Sequence, residues 1–403
     1  MAWIESGWTV VNVALLLFAT LIFIPGFVLF VECMAALLPR RTSLPRAVVQ
    51  RPRFDVLVPA HNEELGIATT VEAIMGELAP GDRLIVVADN CVDQTAAVAR
   101  KLGATVLERQ DTERRGKGYA LDFGIQYLAK SPPDVVVLMD ADCIAERDGL
   151  RQIATLAALK QRPVQAVYLM AQPPNPSPKD SISMLAFTFK NLVRPLGLDR
   201  LALPCLLTGT GMAFPWELIK NAPLASGNIV EDMQLGLDLA IAGSAPLLCS
   251  STRVTGVLPQ KRDAAKSQRT RWEHGHLHTL KTQVPRLLAA GLRQGRVDLL
   301  SLALDLLVPP LSLLVMLWLV GLLGSAIAAW AGASSLPLLL LGIEGGLIFA
   351  AIIFGWAKFC RRELPAKTLL MVPFYILWKI PLYFSFLLKP QKAWVRTERD
   401  TPR

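Results

Sequence analysis

Residues 135–142 read VVVLMDAD, a short apolar run that ends in two carboxylates, Asp140 and Asp142. A second apolar run, residues 84–88, is followed at once by Asp89. Uninterrupted apolar runs of this length predict strands buried on both faces, which is typical of a parallel sheet. Ligands of such sheets bind beyond the carboxyl ends of the strands. The acidic residues are therefore expected to meet at one site.

Short apolar runs alternate with amphipathic stretches from Phe54 to about Leu258. The predicted strands are Phe54–Pro59, Arg83–Ala88, Ala104–Glu108, Val135–Met139 and Val164–Met170. The predicted helices lie near Glu63–Leu78, Gln94–Leu102, Gly118–Ala129 and Arg147–Lys160. This alternation predicts βαβ units, and hence an α/β domain with a parallel sheet covered by helices on both faces.

Apolar residues make up 52% of the 403-residue chain and are concentrated at its two ends. Trp8–Val31 is long enough to cross a bilayer; it lacks the basic start and the cleavage site of a signal peptide, so it is predicted to be an anchor. Leu299–Trp330 and Leu336–Trp356 predict a membrane hairpin that turns around Ala331–Ser335. Leu369–Leu388 contains two prolines and a lysine, which favours a re-entrant or interfacial helix pair.

Five segments follow from these patterns. They are an N-terminal transmembrane anchor (residues 1–35), a cytosolic catalytic domain (50–282), an interfacial segment (283–298), a C-terminal membrane region (299–388) and a basic cytosolic tail (389–403). The net charge of the chain is +9, and its lysines and arginines are concentrated beside the apolar segments. These flanking residues are Arg40, Arg41, Arg46, Arg51, Arg53, Lys358, Arg361 and Arg362. Cytoplasmic flanks carry this excess, so the middle domain is predicted to be cytosolic.

Two further features of composition limit the function. No basic stripe interleaved with aromatic residues is present, which argues against nucleic-acid binding. The six cysteines show no CxxC spacing, so reduced thiols in a cytosolic compartment are expected.

Asp140 and Asp142 offer hard oxygen ligands for Mg²⁺ or Mn²⁺. Such an ion usually takes its remaining ligands from water and substrate phosphates, and it would neutralise a departing diphosphate. The alternative is a solvated turn. Residues 114–118 read RRGKG at the start of a predicted helix, which suits either a diphosphate or a charged surface turn.

Glu231 and Asp232 begin another predicted helix. They favour its N-terminus by their charge, and either could also act as a general base. Further along, Arg271 and Trp272 are ordinary interfacial residues, or they bind a diphosphate and stack on a sugar ring. His274 and His278 share a helix face, so a metal pair is conceivable, but local structural roles are predicted for the histidines, including His61 and His276.

Seven motifs follow one another along the chain. They are Val58–Glu64, Asp89–Asp93, Arg115–Gly118, Asp140–Asp142, Thr208–Gly211, Glu231–Asp232 and Gln268–Trp272. Their order, over about Phe54 to His276, resembles the membrane-integrated branch of glycosyltransferase family 2. That branch includes cellulose, chitin-oligosaccharide and hyaluronan synthases and ceramide glucosyltransferase. The resemblance implies a GT-A fold, an inverting reaction, a UDP-sugar donor and Mg²⁺ or Mn²⁺.

The resemblance also implies a role for each matching residue. Donor binding falls to Glu63, Asp89, Lys117, Asp140 and Arg271. Metal binding falls to Asp140 and Asp142, and the general base is Asp232. The acceptor side comprises Thr208, Gly209, Thr210, Gly211, Glu231, Gln268 and Trp272.

Some details narrow the expected role, and others differ from processive relatives. Val230 replaces the threonine of their Thr-Glu-Asp motif, Thr208–Gly211 differs from the usual synthase versions, and few C-terminal segments are present to form a translocation pore. The sequences of Ala88–Cys91 and Arg115–Tyr119 look most like those of bacterial exopolysaccharide transferases. We therefore expect a multi-pass enzyme of the bacterial inner membrane that uses a polysaccharide or lipid-linked acceptor, alongside other polysaccharide-assembly proteins. The alternatives are a glycolipid synthase and a catalytically silent nucleotide-sugar-binding scaffold.

Overall fold

The computed structural model describes residues 2–39, 51–172, 176–225, 230–257 and 262–388. For residues 2–7, 262–267 and 387–388 only the backbone is described. The predicted basic flank at Arg40, Arg41 and Arg46, and the predicted tail at 389–403, lie outside the described residues.

A single eight-stranded sheet lies at the centre of the described residues of the middle domain, in the order β3-β2-β1-β4-β7-β6-β8-β5. The strands are β1 (Phe54–Ala60), β2 (Arg83–Asp89), β3 (Thr105–Arg109), β4 (Val135–Leu138), β5 (Cys143–Ala145), β6 (Val164–Ala171), β7 (Met212–Pro215) and β8 (Leu247–Val257). All five predicted strands are confirmed. The prediction of a parallel sheet is wrong beyond β4, because β7 runs antiparallel to both β4 and β6, and β5 runs antiparallel to β8.

Helices pack on both faces of this sheet. Those of the middle domain are α2 (Ile67–Met75), α3 (Thr95–Lys101), α4 (Lys117–Leu128), α5 (Gly149–Lys160), α6 (Pro178–Thr188), α7 (Arg194–Arg200), α8 (Trp216–Ile219) and α9 (Glu231–Ile241). Successive strand side chains point to opposite faces, so Val56 and Val58 join the core under α2 and α5 while Leu57 joins the core under α4. The packing is close, because a Cβ added at Gly124 of α4 would lie 2.4 Å from Leu57 Cδ1.

The chain reverses its direction of travel across the sheet at β1. It winds outward through β2 and β3, then returns to place β4 on the other side of β1. Strand order reverses at this point, and a crevice opens beyond the carboxyl ends of β1 and β4. Asp89 ends β2 and Asp140 follows β4 by two residues, so both lie at this edge.

The remaining helices flank the sheet domain. They are α1 (Ala2–Ala36), α10 (Arg262–Gln294), α11 (Val297–Leu307), α12 (Leu311–Trp330), α13 (Leu336–Gly355), α14 (Ala366–Leu369) and α15 (Val372–Leu388). Among the described residues, three helices are long and apolar enough to cross a membrane, Trp8–Ala36, Leu311–Trp330 and Leu336–Cys360. The predicted turn of the hairpin around Ala331–Ser335 is confirmed.

The prediction of one continuous span over Leu299–Trp330 is wrong. The helix breaks at Pro309 and Pro310, which lack backbone N–H groups and restrict the residues before them. α11 is a separate helix whose buried side packs on α10 through residues such as Leu299 and Leu302. The predicted boundary at residues 282/283 also falls inside α10, which continues through Pro285.

The predicted helix pair over Leu369–Leu388 is a short turn, α14, followed by one longer helix, α15. Lys379 of α15 is buried and forms an ion pair with Glu273 of α10. The Ser312 and Tyr383 hydroxyl oxygens lie 2.6 Å apart, which ties α15 to α12. These contacts place α15 against the helix that carries the predicted Gln268–Trp272 motif.

α7 joins the sheet domain to the first apolar helix. Arg194 Nε donates to Glu32 Oε2 of α1 at 2.8 Å, and Arg194 also forms an ion pair with Asp305 of α11. One turn further, Gly197 lies directly against α1, where an added Cβ would be 2.0 Å from the Glu32 carbonyl oxygen. This backbone contact leaves no room for a side chain.

Gly197→Ala is therefore expected to destabilise the fold by about 2 kcal/mol, because the backbones of α1 and α7 must separate. Thermal unfolding of the purified protein in detergent should show a lower midpoint. Gly342→Ala is the matched control, since an added Cβ there meets nothing within 4 Å. Equal midpoints for the two variants would contradict the close contact.

Candidate active site

The crevice at the carboxyl ends of β1, β2 and β4 is a cavity of about 570 Å³. Twelve of the fourteen residues predicted for the site line it. They are Glu63, Asp89, Lys117, Asp140, Asp142, Thr208, Gly209, Glu231, Asp232, Gln268, Arg271 and Trp272. Residues separated by as many as 209 positions in the sequence are thus brought to one cavity by the ends of strands and the beginnings of helices.

Asp89 is held rigidly at one end of this cavity, which we call the donor cavity. Arg109 Nη1 donates to Asp89 Oδ1 at 2.6 Å, and His61 Nδ1 lies 2.6 Å from the Asp89 carbonyl oxygen. Arg109 lies directly opposite Asp89 in the register of β2 and β3. The sequence analysis missed Arg109 because strand register, rather than any motif, brings it there.

Lys117 connects three elements at the centre of the cavity. From the first turn of α4 it forms an ion pair with Asp140 and donates to the Gly209 carbonyl oxygen at 2.7 Å. Burial lowers the pKa of Lys117, but the carboxylates of Asp140 and Glu231 outweigh it and hold that pKa above its usual value. Lys117 therefore stays charged, as binding to a diphosphate requires.

Gly209 allows the loop before β7 to approach the acidic residues. Its φ of 96° is in the left-handed region that favours glycine. A Cβ at this position would lie 3.0 Å from Asp232 Oδ2. A larger residue here would therefore press on the Asp232 carboxylate.

Thr210 and Gly211 do not line the cavity, in contrast to the sequence prediction. Thr210 is fully buried, and its Oγ1 accepts a hydrogen bond from the Asp140 backbone N–H at 3.0 Å. Gln165 of β6, which the sequence analysis missed, binds both ends of this loop. Its Nε2 donates to the Thr210 carbonyl oxygen at 2.8 Å, and its Oε1 accepts from the Thr208 N–H at 2.9 Å. Thr210, held by Gln165, therefore positions the backbone of Asp140.

Asp140 and Asp142, with Cys143, form a group that could hold a metal ion, since one ligand atom from each lies within 4.8 Å of the others. Burial, and then the charge of Asp142, raise the pKa of the Cys143 thiol well above its usual value. A protonated thiol is a poor ligand for a hard cation. The two carboxylates fit Mg²⁺ or Mn²⁺, with positions left for water and phosphate oxygens.

Glu231 and Asp232 lie in the first turn of α9. Burial, together with the neighbouring Asp232 carboxylate, raises the pKa of Glu231 to about 7. Burial also raises the pKa of Asp232. The residue before the helix, Val230, provides no side-chain cap, so these acids both favour the helix N-terminus and retain affinity for a proton.

Gln268, Arg271 and Trp272 reach the cavity from one face of α10, because residues three and four positions apart are neighbours on a helix. Trp272 packs on Phe187, with ring centroids 5.5 Å apart, and Phe187 packs on Tyr168 at 5.4 Å. Next on α10, His276 Nε2 lies 3.1 Å from the Val308 carbonyl oxygen, and His274 Nε2 lies 3.2 Å from that of Leu382. These two histidines connect α10 to its neighbours, in agreement with the predicted local roles.

A second cavity, of about 160 Å³, adjoins the donor cavity on the side of the apolar helices. Residues of α1, α6, α12 and α15 contribute to its wall. Five residues line both cavities, namely Tyr168, Thr208, Val230, Asp232 and Trp272. Asp232 thus lies at the boundary between the two.

The fold is the GT-A fold of sugar-nucleotide transferases, a Rossmann-like mixed sheet. A mannosyltransferase from Pyrobaculum calidifontis, solved in complex with GDP-Man and Mn²⁺, aligns with a TM-score of 0.58 at 18% identity. The alignment covers 95% of this chain and 100% of that one. At this identity the alignment shows the fold. The family model described as "Glycosyltransferase like family 2" matches residues 52–275, more than half of the chain, and the chain belongs to this family.

Curated relatives match over shorter segments. A probable glycosyltransferase of Bacillus subtilis, YdaM, is 36% identical over 104 residues, which is 24% of this chain and 24% of YdaM. The 4,4'-diaponeurosporenoate glycosyltransferase of Staphylococcus aureus is 31% identical over 115 residues, covering 27% of this chain and 30% of that protein. The chain thus matches less than a third of either relative's length.

Proposed function

We propose that the protein is an inverting glycosyltransferase of the bacterial inner membrane, which transfers a sugar from a UDP-sugar to a polysaccharide or lipid-linked acceptor in exopolysaccharide biosynthesis. The observation that carries this proposal is the position of Asp232 between the donor cavity, which charged side chains line, and a smaller cavity beside the apolar helices. A base in this position contacts a donor on one side and an acceptor hydroxyl on the other. The three long apolar helices support a membrane location. The basic residues beside them in the sequence, such as Lys358, Arg361 and Arg362, support a catalytic domain on the cytosolic side.

The chemistry follows from the charges in the donor cavity. The acceptor hydroxyl oxygen attacks the anomeric carbon, the bond from that carbon to the diphosphate oxygen breaks, and Asp232 takes the hydroxyl proton. Attack opposite the leaving group inverts the configuration in one step. Lys117 and Arg271 would stabilise the negative charge of the diphosphate as it leaves. A divalent cation held by Asp140 and Asp142 would supply further neutralisation of that charge.

The donor end would bind the nucleoside through Asp89 and Glu63. A UDP-sugar is the expected donor from the motif resemblance. The nucleotide needs a direct test, however, because the structural neighbour from Pyrobaculum calidifontis was solved with GDP-Man.

A glycolipid synthase that uses a lipid hydroxyl directly is the second candidate. It is favoured by the wall of the second cavity, to which Leu29 of α1, Pro310, Leu311 of α12 and Tyr375 of α15 contribute. Product extraction separates the two candidates. A long water-soluble carbohydrate indicates a polymerase, and an organic-soluble product indicates glycosylation of a lipid.

The central test is nucleotide release by the protein in lipid nanodiscs, with a panel of UDP- and GDP-sugars and either Mn²⁺ or Mg²⁺. Release from one donor establishes the activity and identifies the sugar. If no nucleotide is released from any donor, calorimetry with the same donors distinguishes two explanations. Binding of a donor indicates that the acceptor is missing, and binding of none indicates a different function.

Trp272→Ala is expected to weaken use of the acceptor about tenfold while changing donor affinity much less, because the indole ring would stack on the acceptor sugar. Transfer to a membrane lipid extract and donor calorimetry measure the two effects separately. Trp330→Ala is the control, since Trp330 is 90% exposed at the end of α12. Equal losses of acceptor use and donor affinity would contradict stacking on the acceptor.

A further inference from the structure

Five of the buried polar atoms without partners among the described residues belong to the wall of the second cavity. The described residues provide no hydrogen-bond partner for Asn191 Oδ1, Thr208 Oγ1, Arg269 Nε, Glu273 Oε2 or His276 Nδ1, and each of these residues lines this cavity. Asn191, Arg269 and His276 are all more than nine-tenths buried. Buried polar groups without partners are costly. Asn191 Oδ1 and Glu273 Oε2 accept hydrogen bonds and Arg269 Nε donates one, so their concentration around one cavity indicates a ligand that carries both hydroxyl donors and acceptor oxygens.

Lys190 reaches this cavity from a backbone irregularity. Phe189–Val193 forms a π-helical turn between α6 and α7. Such turns are rare and occur frequently at functional sites. Lys190 lines the second cavity and does not line the donor cavity.

The other cations around the second cavity already have carboxylate partners. Arg194 is paired with Glu32 and Asp305, and Arg269 with Asp180. In the part of the chain that the structure describes, no carboxylate lies within ion-pair distance of Lys190, although Asp232, Asp305 and Glu273 interact with it over a longer range. Burial lowers the pKa of Lys190, which an anionic ligand would oppose.

Much of the remaining wall is apolar. Leu29, Phe189, Leu207 and Leu311 contribute to it, and Leu29 and Leu311 belong to helices that are long enough to cross a membrane. A ligand that matches this wall has an apolar chain on the membrane side and an anionic group near Lys190.

We propose that the second cavity binds an amphiphilic acceptor that carries a phosphate or carboxylate group, and that Lys190 pairs with this group to place the acceptor hydroxyl at Asp232. The role of this ligand as acceptor rests on the proposed function. Its binding through Lys190 can be measured without any donor.

The test uses three probes with the same chain and different headgroups: dodecyl phosphate, dodecanoate and dodecanol. Each is titrated calorimetrically into the full-length protein in nanodiscs of zwitterionic phosphatidylcholine, with protein-free discs as the blank. The wild type should bind one of the anionic probes more tightly than dodecanol. The tighter of the two identifies whether phosphate or carboxylate is recognised.

Lys190→Met keeps the length of the side chain and removes its charge. It should weaken binding of the preferred anionic probe by about tenfold to a hundredfold, because a charge-assisted hydrogen bond is lost, and change dodecanol binding less than about twofold. Lys190→Arg should restore much of the affinity. Lys130→Met, at an exposed lysine two residues beyond the end of α4, is the matched control and should change nothing.

Three outcomes would overturn the inference: no preference for either anionic probe by the wild type, an equal loss for all three probes in Lys190→Met, or a failure of Lys190→Arg to restore binding. Calorimetry with UDP- and GDP-sugars on the same samples tests the proposed function separately. Failure of donor binding with retained anion binding would reject the glycosyl transfer and keep the anion site. Lys190→Met should leave donor affinity unchanged.

Discussion

Asp232→Asn is expected to reduce sugar transfer by about a thousandfold while leaving donor binding intact, because general-base catalysis contributes roughly 10²–10⁴. The asparagine has nearly the same shape, so the close contact with Gly209 is kept. It cannot accept the proton of the acceptor hydroxyl. The measurements are nucleotide release in nanodiscs and donor affinity by calorimetry.

The pH dependence of the wild type provides a second check on this role. A base acts only when it is deprotonated, and burial raises the pKa of Asp232. Activity should therefore be lost, as the pH falls, at a higher pH than the ordinary range of an aspartate. Asp122→Asn, on the outer surface of α4, is the control for the substitution. Transfer retained by Asp232→Asn would remove Asp232 from the mechanism and leave Glu231 as the candidate.

The middle of the sheet can be predicted because its strands are buried on both faces. β1, β2 and β4 are mainly apolar and are buried over nearly their whole length. β5 and β7 are only three and four residues long, and β8 alternates buried and exposed residues across a polar sequence. These three strands form because neighbouring strands pair with them, and their own sequences do not predict a strand. The antiparallel pairing in this part of the sheet was therefore not predicted.

The site residues also divide into those that the sequence could predict and those that it could not. Asp89 and Asp140 could be placed from sequence because they follow predicted strands, whose ends meet at one edge of the sheet. Arg109, Gln165 and Lys190 carry no motif, since a strand register, a buried loop contact and a π-helical turn bring them to the site. The break at Pro309 escaped prediction for a different reason. Both prolines are present in the sequence, but the apolar character on either side of them indicated one continuous span.

Asp142→Ala is expected to lower metal-dependent donor affinity by about a hundredfold, and transfer with it. The two carboxylates at the end of β4 are the hard oxygen ligands that Mg²⁺ and Mn²⁺ prefer. Asp140 is already paired with Lys117, and removal of Asp142 would leave one carboxylate for the ion. A site with one carboxylate would not hold the ion well enough to bind the diphosphate.

Calorimetry with the preferred nucleotide-sugar, in the presence of Mn²⁺ and then of EDTA, separates the contribution of the metal ion to donor affinity from that of the other contacts. The wild type should lose affinity on addition of EDTA, whereas Asp142→Ala should be equally weak in both conditions. Asp122→Ala removes an aspartate from the outer surface of α4 and should behave as the wild type. Equal donor affinity of Asp142→Ala and wild type in Mn²⁺ would mean that Asp142 is not a metal ligand. Asp140 would then remain as the candidate carboxylate ligand for the ion.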